Sequence, residues 1–475
     1  MSERKFESVI GLEVHAQLKT KSKIFCGCST QFGMDENVNT CPICTGMPGS
    51  LPVLNKRTVE FALKMALATH CRVNSRSIFA RKNYFYPDLP KGYQISQYDK
   101  PLAEEGFIEI EMGENKKRIG LVRIHMEEDA GKNVHIGNKS YINLNRAGVP
   151  LIEIVSKPDM RSSEEASLYL KEIRKILLYL EISEGNMEEG NLRCDVNISL
   201  RLEGESRLGT RAEIKNINSF RFVEKAIQHE IERQREILEG GGRVPQETRL
   251  WDADQEKTYP MRSKEEAHDY RYFPEPDLLP LAVSDEWRQE IEKNLPELPS
   301  PRKEKFMNIY GLSSYDAGLL VEEKSLGDYF EKAAKLSQKP KQVCNWILTE
   351  LLSRFKMEEV FKSSIPAENL SELIGFIDRG VISGKIAKEV FSKMVESGKK
   401  AKEIIEAEGL SQLSDSNLLE SVVEKILKEN KDAVEKYLSG NEKLFSFFVG
   451  QAMKQTQGKA NPSMVNEILK KKLRK

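Results

Sequence analysis

The sequence lacks any apolar run near the ~20 residues that a bilayer-spanning helix needs. Its 475 residues are 39% hydrophobic and 31% charged, a balance typical of ordinary soluble proteins and not of disordered or membrane proteins. The first residues, MSERKFESVIG, have neither the basic start nor the apolar core of a signal peptide. We therefore expect a cytoplasmic protein without a membrane partner, folded as about two to four domains.

A GxxxxGK[ST] motif is also absent, so any ATP site is not a P-loop. Charge of one sign does not dominate, because 73 basic residues balance 73 acidic residues. The net charge of the whole chain therefore does not indicate nucleic-acid binding. Residues 451–475 are nonetheless basic, a pattern that fits either contact with a phosphate backbone or a solvated terminus.

Cysteine is sparse but concentrated, since four of the seven cysteines fall in the stretch CGCSTQFGMDENVNTCPIC: Cys26, Cys28, Cys41 and Cys44. Short-spaced pairs in a cytoplasmic protein indicate a metal site more readily than disulfides, although a chance cluster or a redox pair is an alternative. Tetrahedral zinc takes four such ligands at ~2.3 Å, and four thiolates leave no position for a reactive water. We predict a structural zinc site that holds a loop.

Strand and helix patterns mix up to about residue 290, and helical patterns follow a proline-rich stretch there. In ESVIGLEVHAQL the apolar residues share one face, while Glu13 and His15 share the other. NLRCDVNISLRL and TRAEIKN read as a hairpin with a charged face that carries Asp195, Glu213 and Lys215. Helices are predicted over 163–182, after a capping box, and over 220–239. The predicted class is α+β.

Acidic residues end two further strands, in HMEEDAGK, with Glu127 and Glu128, and in LIEIVSKPD, with Glu153. Hard oxygen ligands with one imidazole suit Mg²⁺ held beside the phosphates of a nucleotide. A polar sheet face can also mean only that one side of the sheet meets water. The pattern alone leaves the two interpretations equally open.

Long motifs follow one another in a family-specific order: VIGLEVHAQL, the cysteine loop, RKNYFYPDLPKGYQISQ, HMEEDAGK, NRAGVPLIEIVSKPD, EGNLRCDVNIS, EIKNINSF, YRYFPEPDL and GKANPSMVNEILKKKL. Over essentially its full length the chain resembles the GatB family, the B subunits of tRNA-dependent Asp/Glu amidotransferases. The resemblance implies ATP-dependent amidation of Glu-tRNA(Gln), Asp-tRNA(Asn) or both. The side-chain carboxylate would be phosphorylated, and ammonia would then displace the phosphate.

The resemblance also implies roles for individual residues. The Mg²⁺ ligands would be His15, Glu128 and Glu153, with Glu13 close by as a direct or indirect ligand. Phosphate or second-metal contacts would come from Asp195, Glu213 and Lys215, on the same catalytic face. Lys82 and Lys91 would gate the entry of ammonia, and the four cysteines would hold zinc. The implied cofactors are ATP, Mg²⁺ and structural Zn²⁺.

The implied architecture has three parts. A catalytic cradle, related in fold to glutamine synthetase and guanidino kinases, would span 1–293 and include the zinc loop. A helical domain would span 294–407, and a small YqeY-like helical tail, 408–475, would contact the tRNA. The tail's predicted RNA-binding residues are Lys454, Lys459, Lys470, Lys471 and Lys472.

The sequence shows no amidase signature and no clear cysteine nucleophile for glutamine hydrolysis. The resemblance implies that an amidase A subunit supplies ammonia and that a small C subunit completes a heterotrimer. Two alternatives stay open. A non-catalytic, zinc-containing tRNA-binding scaffold explains the cysteines and the basic end. A small-molecule ligase of the glutamine synthetase type explains the acidic face.

Overall fold

The computed structural model describes residues 5–113, 115–261, 270–410, 416–456 and 460–473. The chain divides into two compact units, Met1–Pro299 and Ser300–Lys475. Strands occur in the first unit, whereas the described residues of the second unit are helical apart from their connections. The expected order, a sheet domain followed by helices, is confirmed. The predicted boundaries after residues 293 and 407 stay predictions.

The strands of the first unit, in chain order, are β1 Phe6–Gln17, β2 Arg72–Val73, β3 Arg76–Ser77, β4 Ala80–Asn83, β5 Tyr93–Ser96, β6 Ala103–Glu104, β7 Phe107–Met112, β8 Asn115–Glu128, β9 Lys132–Ile136, β10 Lys139–Asn143, β11 Pro150–Ser156, β12 Leu192–Leu202, β13 Ala212–Ile217, β14 Glu247–Asp252, β15 Lys257–Pro260, β16 Phe273–Pro274 and β17 Leu281–Ala282. Its helices are α1 Lys56–Ala68, α2 Ser163–Tyr179, α3 Phe220–Glu239 and α4 Asp285–Lys293. Helix α3 has the predicted bounds.

A ten-stranded sheet organises this unit, in the order β15-β14-β13-β12-β1-β11-β8-β6-β2, with β7 also paired to β8. Its neighbouring strands are antiparallel except for the parallel pair β13 and β14. The predicted hairpin is therefore the β12–β13 pair. Central strand β1 sets the register of the site, because His15 faces Glu153 on β11 and Glu13 faces Asp195 on β12.

The alternation predicted for β1 is confirmed by burial. Ile10, Leu12, Val14 and Ala16 are at most 1% exposed, and they belong to a core that also contains apolar residues of helices α1, α2 and α3. Each large aliphatic side chain buried in this way contributes about 1.5–3 kcal/mol. Because the helices cover the apolar face, the polar side chains of the same strands are left facing the cavities described below.

Helix α5, Pro299–Asn308, begins at the boundary between the units. The second unit also contains the helices α6 Ser314–Leu320, α7 Lys324–Ser337, α8 Pro340–Trp346, α9 Ala367–Asp378, α10 Gly384–Ser397, α11 Ala401–Glu408, α12 Ser416–Glu429, α13 Lys431–Leu438, α14 Leu444–Gln455 and α15 Pro462–Leu473. A π-helical turn, Ile347–Leu351, follows α8, and a 3-10 helix spans Met357–Lys362. Leu419, Phe448 and Leu469 belong to an apolar cluster of the last helices. Among the helices in the described ranges, none is long and apolar enough to cross a membrane.

Candidate active site and cysteine cluster

Two groups of potential metal ligands lie on the polar face of the large sheet. One consists of His15, Glu127 and Glu153, and the other of Glu13, Asp195 and Glu213; within each group the ligand atoms lie within 4.8 Å of one another. The strand register explains the grouping, because residues that face each other across paired strands present neighbouring side chains. The sheet thus brings together five of the predicted catalytic residues and adds Glu127.

In the first group the imidazole of His15 lies between two carboxylates. Its Nε2 atom is 3.6 Å from Glu127 Oε1 and 3.6 Å from Glu153 Oε2. A second histidine, His125, is buried next to this group and is only 3% exposed. Its Nε2 atom lies 3.0 Å from Glu153 Oε2. Burial alone would lower the pKa of His125, but Glu153 and Glu127 outweigh it and raise that pKa to about 9. The sequence analysis assigned no role to His125 and named Glu127 only among the acidic strand ends, outside the set of ligands that the resemblance implies.

Glu128 does not join this group, in contrast to the predicted set of ligands. Its carboxylate contacts the ammonium of Lys91 and accepts a hydrogen bond of 2.8 Å from the backbone N–H of Ile95. Successive side chains of a strand point to opposite faces, so Glu127 shares the side of His125 while Glu128 points away. That alternation is readable in HMEED, but the pairing of β8 with β11 and of β11 with β1 decides which glutamate lies beside His15.

In the second group a lysine lies among the carboxylates. Lys215 Nζ is 2.5 Å from Asp195 Oδ2 and 2.9 Å from Glu213 Oε1, and Asn197 Nδ2 donates a 2.9 Å hydrogen bond to Glu13. Burial raises the pKa of Glu13, and the charge of Glu153 adds to the effect. Burial alone would lower the pKa of Lys215, but its two carboxylate partners raise it. Lys215 therefore carries its charge at neutral pH.

Three cavities follow one another along β1. The middle cavity, of about 290 Å³, is lined by both ligand groups. Glu13 also borders a cavity of about 240 Å³ around Gly11, and His15 also borders one of about 280 Å³ that reaches Asp129. We refer to them as the Gly11 cavity, the acidic cavity and the Asp129 cavity. Their shared lining residues place them in that order.

The two predicted gate residues line different cavities. Lys82 lines the acidic and the Asp129 cavities, with Nζ 4.8 Å from the ring centroid of Tyr270. Burial opposes its charge, but nearby carboxylates, Glu127 first among them, raise the pKa of Lys82. Lys91 and Glu128 instead line a smaller cavity of about 110 Å³, beside Cys44.

The four clustered cysteines converge, with their sulfur atoms within 4.8 Å of one another. Cys41 Sγ and Cys44 Sγ are 3.9 Å apart, close to the about 3.8 Å between ligands of tetrahedral zinc. The cluster therefore fits zinc. A hydrogen bond from Cys26 lowers the pKa of the Cys44 thiol to about 4, and the ammonium of Lys23 adds to that effect although burial opposes it.

Lys23 is fully buried beside this cluster. Its Nζ atom lies 3.6 Å from Cys44 Sγ and donates hydrogen bonds to the backbone oxygens of Asn39, at 2.7 Å, and Leu144, at 3.2 Å. A buried ammonium needs such partners, because an unpaired charge in the interior is costly. Lys23 thus ties the cysteine loop to the strand connection before β11, a role that sequence reasoning missed.

The predicted RNA-binding lysines lie mostly on exposed helix surface. Lys454 on α14 and Lys470 and Lys471 on α15 are exposed. Lys472 is ion-paired, with Nζ 2.6 Å from Glu424 Oε1. Lys459 lies outside the described residues.

Two family models match the chain, one described as the GatB/GatE catalytic domain, over residues 8–289, and one described as the GatB domain, over residues 328–473. Similar curated proteins include the B subunit of the aspartyl/glutamyl-tRNA(Asn/Gln) amidotransferase of Persephonella marina, which is 55% identical over 99% of this chain and 100% of its own length. The proteins of the same name from Thermodesulfovibrio yellowstonii and Solidesulfovibrio magneticus are 54% and 56% identical, each over 99% of both chains. With models matched at both ends and relatives this similar over their whole length, the chain belongs to the GatB family.

Proposed function

We propose that this chain is the B subunit of an aspartyl/glutamyl-tRNA(Asn/Gln) amidotransferase and that it converts Glu-tRNA(Gln), Asp-tRNA(Asn) or both to the amidated forms. The full-length similarity to subunits of that name supports the assignment. The observation that carries the chemistry is the pair of ligand groups on one sheet face, because both border one cavity. A free carboxylate is a poor acyl electrophile, so its activation needs such a site.

The first ligand group has the composition that Mg²⁺ accepts, two carboxylates with one imidazole. We propose His15, Glu127 and Glu153 as its ligands, with Glu127 in place of the predicted Glu128, and the Glu13 group as contacts for a second cation or for phosphates. The raised pKa of Glu13 supports the fit, because it reflects burial among like charges that a cation would relieve. Bound Mg²⁺ would offset the charge that develops during phosphoryl transfer.

The chain's own residues would position the two substrates. The Gly11 cavity, lined by Val9, Leu12 and Ile198, has the apolar character that suits the nucleoside of ATP, and Glu13 at its border leads to the acidic cavity. Arg211 lines both cavities and would contact phosphates. The terminal phosphate of ATP would pass to the side-chain carboxylate. Ammonia would then form the C–N bond while the acyl C–O bond breaks and phosphate leaves.

Ammonia would reach the acidic cavity through the protein. Lys91 contacts Glu128 beside the cysteine loop, and this contact supports a gate at that point of the route. We propose that Lys82 and Lys91 line the passage. The four clustered cysteines, Cys26, Cys28, Cys41 and Cys44, would hold a structural zinc ion. An amidase A subunit and a small C subunit would complete the enzyme. Equal loss of activity with glutamine and with ammonium after substitution of both lysines would contradict the passage.

The finer architecture follows from the same family membership. We propose a cradle related to glutamine synthetase over 1–293, a helical domain over 294–407 and a YqeY-like tail over 408–475. The exposed lysines of α14 and α15 would contact the tRNA in the cytoplasm. The match described as the GatB domain, which covers 328–473, supports the last two parts.

The decisive experiment is ADP release by the purified, zinc-loaded chain with Mg-ATP and ammonium, with and without Glu-tRNA(Gln). We expect release that requires the charged tRNA and is lost in Glu127→Gln. Release driven by free glutamate would indicate a small-molecule ligase. If neither the chain nor its complex with the partner subunits released ADP while still binding tRNA, the chain would be a scaffold.

A further inference from the structure

Five tyrosines from three separate stretches of the chain form a continuous row beside the cavities. The ring centroids of Tyr86 and Tyr84 are 5.9 Å apart, those of Tyr84 and Tyr270 6.2 Å, those of Tyr270 and Tyr272 6.1 Å, and those of Tyr272 and Tyr98 4.2 Å. The last pair is stacked, with 9° between the ring planes. We call these five residues the tyrosine row.

The row borders two of the three cavities. Tyr98, Tyr270 and Tyr272 line the acidic cavity, and Tyr84 and Tyr270 line the Asp129 cavity. By contrast, no tyrosine lines the described part of the Gly11 cavity. The row therefore borders the acidic and Asp129 cavities and not the described part of the cavity proposed for the nucleoside of ATP.

The row also reaches solvent. Tyr98 is 53% exposed and Tyr86 is 36% exposed, whereas a tyrosine that only packs the interior would be covered. A tyrosine ring that is partly exposed at the mouth of a cavity offers a flat face on which a nucleobase can stack. The cation of Lys82, 4.8 Å from the Tyr270 centroid, adds a charge that can contact a nearby phosphate.

We propose that the tyrosine row, at its stacked pair of Tyr98 and Tyr272, binds the 3′-terminal nucleobase of the charged tRNA. The inference rests on the proposed function and deepens it. The amino acid is esterified to the terminal ribose, so its side-chain carboxylate lies only a few bonds from the terminal nucleotide. When the carboxylate reaches the ligand groups, the terminal base lies at the mouth of the acidic cavity, where Tyr98 and Tyr272 are.

The geometry of phosphoryl transfer implies that the terminal base of the tRNA and the adenine of ATP occupy different positions. The attacking and leaving oxygens lie roughly in line on opposite sides of the transferred group. With ATP entering from the Gly11 cavity, the acceptor approaches through the acidic and Asp129 cavities, which the tyrosine row borders. The adenine of ATP is therefore the competing source of a base that the experiment must distinguish.

The test uses the full chain in its complex with the partner subunits. Affinity is measured for tRNA(Gln) with a complete 3′ end and for the same tRNA without its terminal adenosine. We expect the wild type to prefer the complete tRNA by about five- to a hundredfold, the range of base stacking on an aromatic ring. Tyr98→Ala should bind both tRNAs alike, and Tyr98→Phe should keep the preference.

Tyr141 on β10 is the matched control, because it too is 53% exposed, and Tyr141→Ala should keep the preference. A tRNA that carries 2-aminopurine as its terminal base gives a direct readout, since stacking quenches its fluorescence. We expect quenching in the wild type and its loss in Tyr98→Leu, a variant that keeps an apolar side chain if Tyr98→Ala does not fold.

Three results would overturn the proposal. If Tyr98→Ala raised KM for Mg-ATP while the preference for the complete tRNA persisted, the base on the row would be the adenine of ATP. If neither quantity changed, the row would only pack the cavity wall. If the wild-type complex did not bind tRNA(Gln) at all, the proposed function itself would fail, a signature distinct from a loss confined to Tyr98 variants.

Discussion

At the scale of single residues, two consecutive glutamates at the end of β8 meet different partners. Glu127 faces His15 and His125, whereas Glu128 contacts Lys91. Sequence resemblance alone assigned the metal to Glu128. Because the two carboxylates lie on opposite sides of the strand, substitutions at neighbouring positions can separate cation binding from the contact with Lys91.

We expect Glu127→Gln to weaken Mn²⁺ binding, used here as a probe for Mg²⁺, by at least about tenfold, because an anionic ligand becomes neutral. Glu128→Gln, of matched size and charge change, should leave Mn²⁺ affinity within about twofold. Electron paramagnetic resonance titration of free Mn²⁺ measures both. Weaker binding in Glu128→Gln with normal binding in Glu127→Gln would restore the assignment made from the sequence.

The buried ammonium of Lys23 supports a second prediction at this scale. Lys23→Met keeps most of the side-chain volume but leaves the backbone oxygens of Asn39 and Leu144 without their donor. We expect the free energy of unfolding to fall by about 1–3 kcal/mol for each oxygen that stays buried without a partner, and zinc to be lost faster to a chelator. Chemical denaturation and chelator competition measure the two effects. Lys21→Met, at an exposed position, should change neither.

At the scale of elements, helix α2 begins as its sequence predicts, with one difference. Ser162 Oγ accepts a 3.1 Å hydrogen bond from the N–H of Glu165. The carboxylate of Glu165, however, accepts from the N–H of Arg161, at 2.6 Å, and not from that of Ser162. Glu165 also contacts Lys117 on β8, at 2.7 Å, so the helix start is held to the sheet. The predicted helix end at residue 182 is three residues beyond the observed Tyr179.

Because the Ser162 hydroxyl satisfies a donor that the helix itself cannot pair, Ser162→Ala should lower the free energy of unfolding by about 1 kcal/mol. Ser162→Gly should cost only a few tenths of a kcal/mol, since glycine is itself accepted at this position. Urea denaturation of the two variants and the wild type gives the comparison. Equal costs for alanine and glycine would show that the cap does not hold the helix start.

At the scale of the whole molecule, the two compact units carry different chemistry. The ligand groups and the cysteine cluster belong to the first unit, and the exposed lysines of α15 belong to the second. The zero net charge of the whole chain therefore combines acidic ligand groups in the first unit with exposed lysines in the second. RNA affinity and nucleotide chemistry should then respond to different substitutions.

We expect the double variant Lys470→Gln/Lys471→Gln to bind tRNA more weakly and to reduce the slope of log affinity against log salt by about two, one for each lost phosphate contact. ADP release at saturating charged tRNA should stay unchanged. Filter binding over a salt series gives the slope. Lys385→Gln, an exposed lysine on α10, is the matched control, and an unchanged slope in the double variant would identify a merely solvated terminus.

Local sequence patterns were sufficient to predict several features of the fold and of the candidate site. From Leu12 to Gln17 the period of two along β1 predicts which residues are buried and that Glu13 and His15 share a face. The spacing of the cysteines predicts that the two members of each pair lie close together, because each pair spans only a short turn. The end of α3 is readable from the glycines that follow it. In each case the cause acts over a few residues, which is the range that a sequence pattern describes.

Other features depend on contacts between distant stretches of the chain, and only the folded protein displays them. Strand pairing sets Glu127 beside His15 and buries His125 behind Glu153. The tyrosine row joins Tyr84 to Tyr270, and Lys23 reaches Leu144. Such pairings arise from strand register and from the packing of the shared core, and no local period along a single chain encodes which distant partner a side chain meets.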